Sequence, residues 1–347
     1  MRIPRRLVAA VVLLTVPLAG VSPAGATGMV GPLADFQAQL AAYSSRAPGH
    51  VGIAIEDIRS GATSGINPGA EMPAASTIKI PVMVEVFRQL GAGRFDLNTK
   101  LKLRRSDKDW GSGDLCDARV GGSYTVSRLL SLMIDVSDNT ATNMLIRLVG
   151  RQRINASMVE YGLSHTRLTD FIRSEGNSIR WALRSSPADM AHLLGKMAKE
   201  QLVDEWSSRE MIGILRGQQH NGLLPQPLPP GTEIAHKTGT LHDTLNDVGI
   251  VYGGAGDDPY VIAVMTTDLP TLDAGRRFIR GVSKMAYTAL GKFASLRDIG
   301  PPELGAMPAS ERPAPATPEQ QMWTPQNVPA AQAGPAEAPV AAATPSP

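Results

Sequence analysis

A single cysteine, Cys116, is the whole thiol content of the 347 residues. No intrachain disulfide framework can form, and no histidine constellation accompanies the thiol, so Cys116 reads as a small packed residue. An excess of one charge is lacking too: 34 Lys and Arg stand against 32 Asp and Glu, for a formal net charge of +2. Without a long basic run, nucleic acid is not among the expected partners. The most apolar N-terminal stretch, Leu7 to Ala19, falls well short of the roughly 20 residues a spanning helix needs. His220, His236 and His242 have no metal-ligand spacing, so neither a metal nor an organic cofactor is expected. His236, beside Lys237, reads as a residue packed on a strand.

What is present begins with an export signal over residues 1–26. Arg2, Arg5 and Arg6 precede the apolar stretch, and Ala24-Gly25-Ala26 offers a small-residue cleavage site near Ala26. Arg5-Arg6 leaves the twin-arginine and general secretory routes both open. At the other end, residues 301–347 hold 12 of the 27 prolines. Such a stretch buries too little apolar surface to fold, so residues 296–347 read as a Pro/Ala-rich tail. Between them, residues 27–295 form one catalytic-size domain, expected to be secreted and monomeric.

Within it, Leu33 to Tyr43 has helical spacing, Val51 to Ile58 alternates as a strand, and Ala62 to Ile66 is its short partner after the Ser60-Gly61 turn. Residues 98–230 are helical in pattern, with an irregular stretch from His165 to Arg184. Strands return at Glu233–Thr238, Asp247–Tyr252 and Tyr260–Thr267, before a last helix from Arg276 to Leu290. Strands at both ends and helices between predict an α+β fold. One antiparallel sheet is built from N- and C-terminal segments, flanked by helices and carrying an all-helical insertion. A site is expected between sheet edge and insertion.

The chemistry starts at Ser76-Thr77-Ile78-Lys79, where a loop enters a helix. Residues i and i+3 share a helix face, so Lys79 can stand beside Ser76 and accept its proton if burial lowers the lysine pKa. The Ser76 N–H, at a helix start, is free to bind an oxyanion. A Ser-x-x-Lys arises by chance roughly once in a chain this long, so alone it decides nothing. Ser137-Asp138-Asn139 and Lys237-Thr238-Gly239 follow it. Each triplet arises by chance in roughly a tenth of chains or fewer, and the ordered set is far rarer.

With these three motifs, residues 33–292 resemble the class A serine β-lactamases and the related penicillin-binding D,D-peptidases, which carry them in this order. The resemblance implies a β-lactamase/transpeptidase-like fold and an acyl-serine mechanism. Ser76 would be acylated and Lys79 would take its proton. Ser137 would pass a proton to the leaving nitrogen, with Lys237 easing that transfer and attracting the substrate carboxylate. Asn139 would hold the substrate side chain and Thr238 its carboxylate. Thr240 N–H would join Ser76 N–H around the oxyanion, and Gly239 would keep the strand approachable. The implied substrate is a β-lactam or a cell-wall peptide.

Two departures stand against that pattern. Class A enzymes activate the deacylating water with a glutamate in a Glu-x-x-x-Asn arrangement. Counted without gaps, Asn177 matches the asparagine while Arg173 takes the glutamate's place, leaving Glu175, Asp170 or no base. No arginine occurs in Leu245 to Gly249, where one often binds the substrate carboxylate; Arg276 or Arg277 would have to substitute. The expected function is ring opening of β-lactams. The rivals are a D,D-carboxypeptidase-like protein with slow deacylation and a catalytically silent wall-binding module. Trp110 is a candidate pocket wall.

Overall fold

The computed structural model describes residues 32–174, 182–253 and 259–290. The expected export signal and Pro/Ala-rich tail, and Glu175 and Asn177, lie outside the described residues. Helix α1 (Pro32–Ser44) leads into strand β1 (His50–Asp57) and its partner β2 (Thr63–Ile66). Strands β8 (Glu233–Thr240), β9 (Leu245–Tyr252) and β10 (Tyr260–Thr267) complete an antiparallel sheet of order β2-β1-β10-β9-β8. The first and last strands of the chain meet at its centre, with Ile53 opposite Val264. The expected sheet of distant segments is what forms.

Alternation sorts the side chains between two cores. Ile53, Ile55, Ile262 and Val264 face Phe36, Leu40 and Tyr43 of α1 and Phe278, Ile279 and Val282 of the last helix, α8 (Leu272–Ala289). The Tyr43 and Phe278 rings stack at 5.3 Å. Ala54, Val261, Ala263 and Met265 face the helical layer on the other side. Each such aliphatic side chain contributes about 1.5–3 kcal/mol by leaving water.

The helical layer is centred on α2 (Lys79–Gly91), which is buried from Lys79 to Phe87. A helix apolar all round belongs in a core, and this one carries its first residue, Lys79, into the core with it. Around α2 pack α3 (Val126–Asp135), α4 (Asn139–Val149), α5 (Arg151–Glu160), α6 (Pro187–Ala198) and α7 (Glu205–Arg216). The Ser186 hydroxyl caps α6, and Pro187 follows it at the first helical position. The polar helix α5 was not separable by pattern from the helix before it. The irregular stretch expected at 165–184 is pinned at both ends. Strand β6 (Arg167–Leu168) pairs with β7 (Leu183–Ser185), which pairs with β3 (Met72–Pro73) just before Ser76. Strands of two or three residues carry no readable period. No helix among the described residues is long and apolar enough to cross a membrane.

Candidate active site

Ser76 sits in a 3-10 turn, Ala75–Ile78, that runs directly into α2. Ala75 has a φ of 48°, a left-handed conformation costly for a side-chain residue, so the strand-to-helix corner before Ser76 is held by its surroundings. Two residues of the sheet supply the hold. Asn246, buried on β9, donates through Nδ2 to Pro73 O at 2.8 Å and Ala74 O at 3.1 Å. Gly239 lies so close that a Cβ there would be 2.9 Å from Ala74 O and 3.1 Å from Ser76 N. This glycine lets β8 run alongside the Ser76 amide, so Thr240 at the strand end reaches the same cavity.

Lys79 is fully buried, and its Nζ donates to Ser137 O at 2.6 Å, Ser137 Oγ at 3.0 Å and Asn139 Oδ1 at 2.7 Å. These three acceptors suit an ammonium. Burial, and then the charge of Lys237, nevertheless push the Lys79 pKa well below the usual lysine value, while the Asp138 and Asp109 carboxylates pull it back. A lysine whose charged form is disfavoured in this way is suited to proton abstraction from a serine.

Ser137 has a φ of 59°, which turns its carbonyl toward Lys79 in the link between α3 and α4. The Ser-Asp-Asn triplet therefore spans a junction: Asp138 caps α4 by accepting from Ala141 N, and Asn139 is the first helical residue. The Asp138 Oδ2 also accepts from Leu115 N at 2.8 Å. Asn139 in turn donates to Asp109 Oδ1 at 2.7 Å. Lys237 is buried on β8, opposite Val248, and burial lowers its pKa to about 7 against the opposing pull of Asp247 and Asp135.

One cavity of about 960 Å³ collects these groups: Ser76, Ser137, Asn139, Thr238 and Thr240 line it, with Lys79 and Lys237 buried behind. Of the residues expected at the site, the structure brings these seven together, and Gly239 holds the strand close. Several expectations change. Asp170 is exposed and paired with Arg151 at 3.4 Å, and it does not line the cavity, so it is not placed to activate water. The loop residue that α4 grips is Ile172, whose backbone N and O both bond the Asn143 side chain, at 2.8 and 3.0 Å. Ile172 and Arg173 both line the cavity, and among the described residues no Asp or Glu does.

Where an arginine was sought after β8, the chain has Asn246 instead. Arg276 lines the cavity and pairs with Asp273; Arg280, one helical turn on, also lines it and donates through Nε to Gly222 O at 2.9 Å. A half-buried arginine on an amphipathic helix has no sequence mark, so Arg280 could not be picked out from the sequence. His236 packs as expected, but in a polar setting, with Nδ1 on Asp247 Oδ1 at 2.9 Å and Nε2 on Asn221 Oδ1 at 3.0 Å. Trp110 is 65% exposed, stands off the cavity lining and sits under Lys108 Nζ. Among the described residues no group of His, Cys, Asp and Glu could hold a metal.

The profile of the beta-lactamase enzyme family matches residues 35–290. Among solved structures, PBP-A is 32% identical over 75% of this chain and 97% of its own, with a TM-score of 0.69. A beta-lactamase from Sphaerobacter thermophilus is 32% identical over 74% of this chain and 97% of its own, with a TM-score of 0.68. A mutant of PBP-A, 31% identical over 75% of this chain and 98% of its own with a TM-score of 0.69, was solved as an acyl-enzyme complex with penicillin G.

Proposed function

This chain belongs to the beta-lactamase enzyme family, and within it we propose that Ser76 opens β-lactam rings through an acyl-serine, as an exported class A-like hydrolase. The observation that carries the reading is the buried Lys79 with Ser137 and Asn139 around it. In the free-base form Lys79 Nζ accepts the Ser76 proton as Oγ bonds the lactam carbonyl carbon. The carbonyl oxygen, now anionic, lies between the Ser76 and Thr240 N–H groups. When the C–N bond breaks, the electron pair goes to the lactam nitrogen, which takes a proton from Ser137 Oγ. Ser137 Oγ regains one from Lys79, so the serine proton ends on the leaving nitrogen. Lys237 and Thr238 bind the substrate carboxylate.

Release of the acyl group needs a water and a base. Among the described residues the cavity offers Ile172 and Arg173 where a carboxylate would serve, and this favours a second reading, a D,D-carboxypeptidase-like protein that β-lactams acylate and leave slowly. Mixing the mature protein with a chromogenic cephalosporin, while following ring opening and intact mass, separates the readings. Steady turnover abolished in Ser76→Ala supports the hydrolase. One stoichiometric burst with a lasting adduct supports the peptidase. Neither turnover nor adduct would leave a non-covalent wall-binding module.

A further inference from the structure

Among the described residues, the cavity that holds Ser76 is lined by Arg173, Arg276 and Arg280 and by no acidic side chain. Two of these arginines lie at the β8 and α8 side, where Lys237 and Thr238 already receive one carboxylate. Arg173 instead lies on the loop held by α4 and Asp109. Its neighbour Ser174 donates through N and Oγ to Asp109 Oδ2, at 2.7 and 3.0 Å, and Asp109 in turn holds the Asn139 amide. Its other neighbour, Ile172, is held at N and O by Asn143. The backbone on both sides of Arg173 is thus fastened to the helical layer, which aims this side chain rather than leaving it to wander as a loop arginine does.

The guanidinium is under-used. It lies over the Phe171 ring at 5.6 Å, and its one polar contact among the described residues is a long 3.4 Å bond to Ile172 O. The residue is half-buried and forms no ion pair with any described residue. A planar donor fork, pre-aimed and partly desolvated, is suited to a carboxylate. Resting on the acyl-serine reading above, we propose that the acyl donor of this protein carries a second carboxylate, on the acyl side of the scissile bond, and that Arg173 binds it. The native substrate class is then an acidic, peptide-like acyl donor with an anionic group on each side of the scissile bond, rather than one with a neutral side chain.

Benzylpenicillin and carbenicillin test this directly, because they differ by one side-chain carboxylate. Second-order rates of Ser76 acylation are read by intact mass on the mature protein, with thermal melts to verify folding of each variant. Carbenicillin is expected to acylate about fivefold faster, the size of one partly solvated charge pair. That ratio falls to about one in Arg173→Gln and persists in Arg173→Lys. Equal rates in the native protein would overturn the proposal, and so would a carbenicillin preference that survives in Arg173→Gln. If neither penicillin forms an adduct, the acyl-serine reading itself fails, and the proposal with it.

Discussion

Asp109 and Asn139 are joined by a 2.7 Å hydrogen bond from Asn139 Nδ2 to Asp109 Oδ1. The same Asn139 accepts from Lys79 through Oδ1, so the buried carboxylate fixes which way the amide faces the lysine. Asp109 also accepts from Gly111 N at 3.0 Å and from Ser174 N at 2.7 Å. One carboxylate therefore ties the loop before β5 (Ser123–Thr125), the start of α4 and the loop carrying Arg173 into a single wall.

Removing that carboxylate should be expensive. Asp109→Ala leaves several buried donors without an acceptor, at about 1–3 kcal/mol in total where the loop relaxes onto water. Calorimetry is expected to show a melting point lower by about 2–12 °C, at about 2–4 °C per kcal/mol for a domain of this size. Acylation by penicillin G should slow as well, because Asn139 no longer faces Lys79 in one orientation. A melting point and acylation rate both equal to the native would show that the wall does not depend on Asp109.

Lys79→Met is expected to separate catalysis from stability. The substitution removes a charge from a fully buried position, and the aliphatic part of the side chain is kept. Acylation should fall by about 10²–10⁴, the usual worth of a placed base. The melting point should fall by a few degrees, since Ser137 O, Ser137 Oγ and Asn139 Oδ1 lose their buried donor, while the folded variant keeps the cavity. A variant that keeps native acylation rates would sink the assignment of Lys79 as base.

Gly239→Ala tests the closeness of β8 to the Ser76 corner. The new Cβ would stand 2.9 Å from Ala74 O, a backbone atom that cannot swing aside. The strand must move off, taking the Thr240 N–H away from the oxyanion position, and loss of one such donor costs about 10²–10³ in rate. Stopped-flow acylation with a chromogenic cephalosporin reads the loss, and binding of an unreactive carboxylate analogue should weaken far less.

The Lys237 ammonium sets a pH dependence. Burial lowers its pKa to about 7, so it is charged below that pH and neutral above it in the free protein. Affinity for a carboxylate-bearing β-lactam should therefore decline as pH rises through about 7, whereas a methyl ester of the same compound should show no such decline. A bound carboxylate raises the lysine pKa, so the decline belongs to the free protein and appears in the second-order rate rather than at saturation. Identical pH profiles for acid and ester would remove Lys237 from carboxylate binding.

The residues visible in the sequence are those whose partners are close in the motif or fixed by its order. Ser76 and Lys79 share one turn, and Ser137 and Asn139 flank the cap of α4, so their residue types survive as triplets. The five-stranded sheet was legible because strands β1, β8, β9 and β10 each show an apolar period. Asp109, Asn143, Asn246 and Arg280 were not legible, because their partners stand elsewhere: Asn246 grips Pro73 O and Ala74 O from β9, and Asn143 grips Ile172 from α4. A single buried asparagine bonded to a distant backbone leaves no pattern. The count from Asn177 that put Arg173 at the glutamate's place could not reveal that Ile172, one residue earlier, is the one clamped against the site.

Ile172→Glu follows from that clamp. Ile172 is buried, lines the cavity and has its backbone fixed at N and O by Asn143, so a side chain there has a defined position beside the acyl group. A carboxylate at this position can hold a water and accept its proton as the hydroxide attacks the acyl carbon. Burial would raise the glutamate pKa, while Arg173 next to it favours the charged form. Penicillin G turnover is expected to rise by about 10-fold or more over the native protein, with acylation little changed, since a general base is worth about 10²–10⁴ when well placed. Intact mass should show a shorter-lived adduct. An adduct as persistent as in the native protein, in a variant that melts normally, would mean that a carboxylate at position 172 is not what limits release.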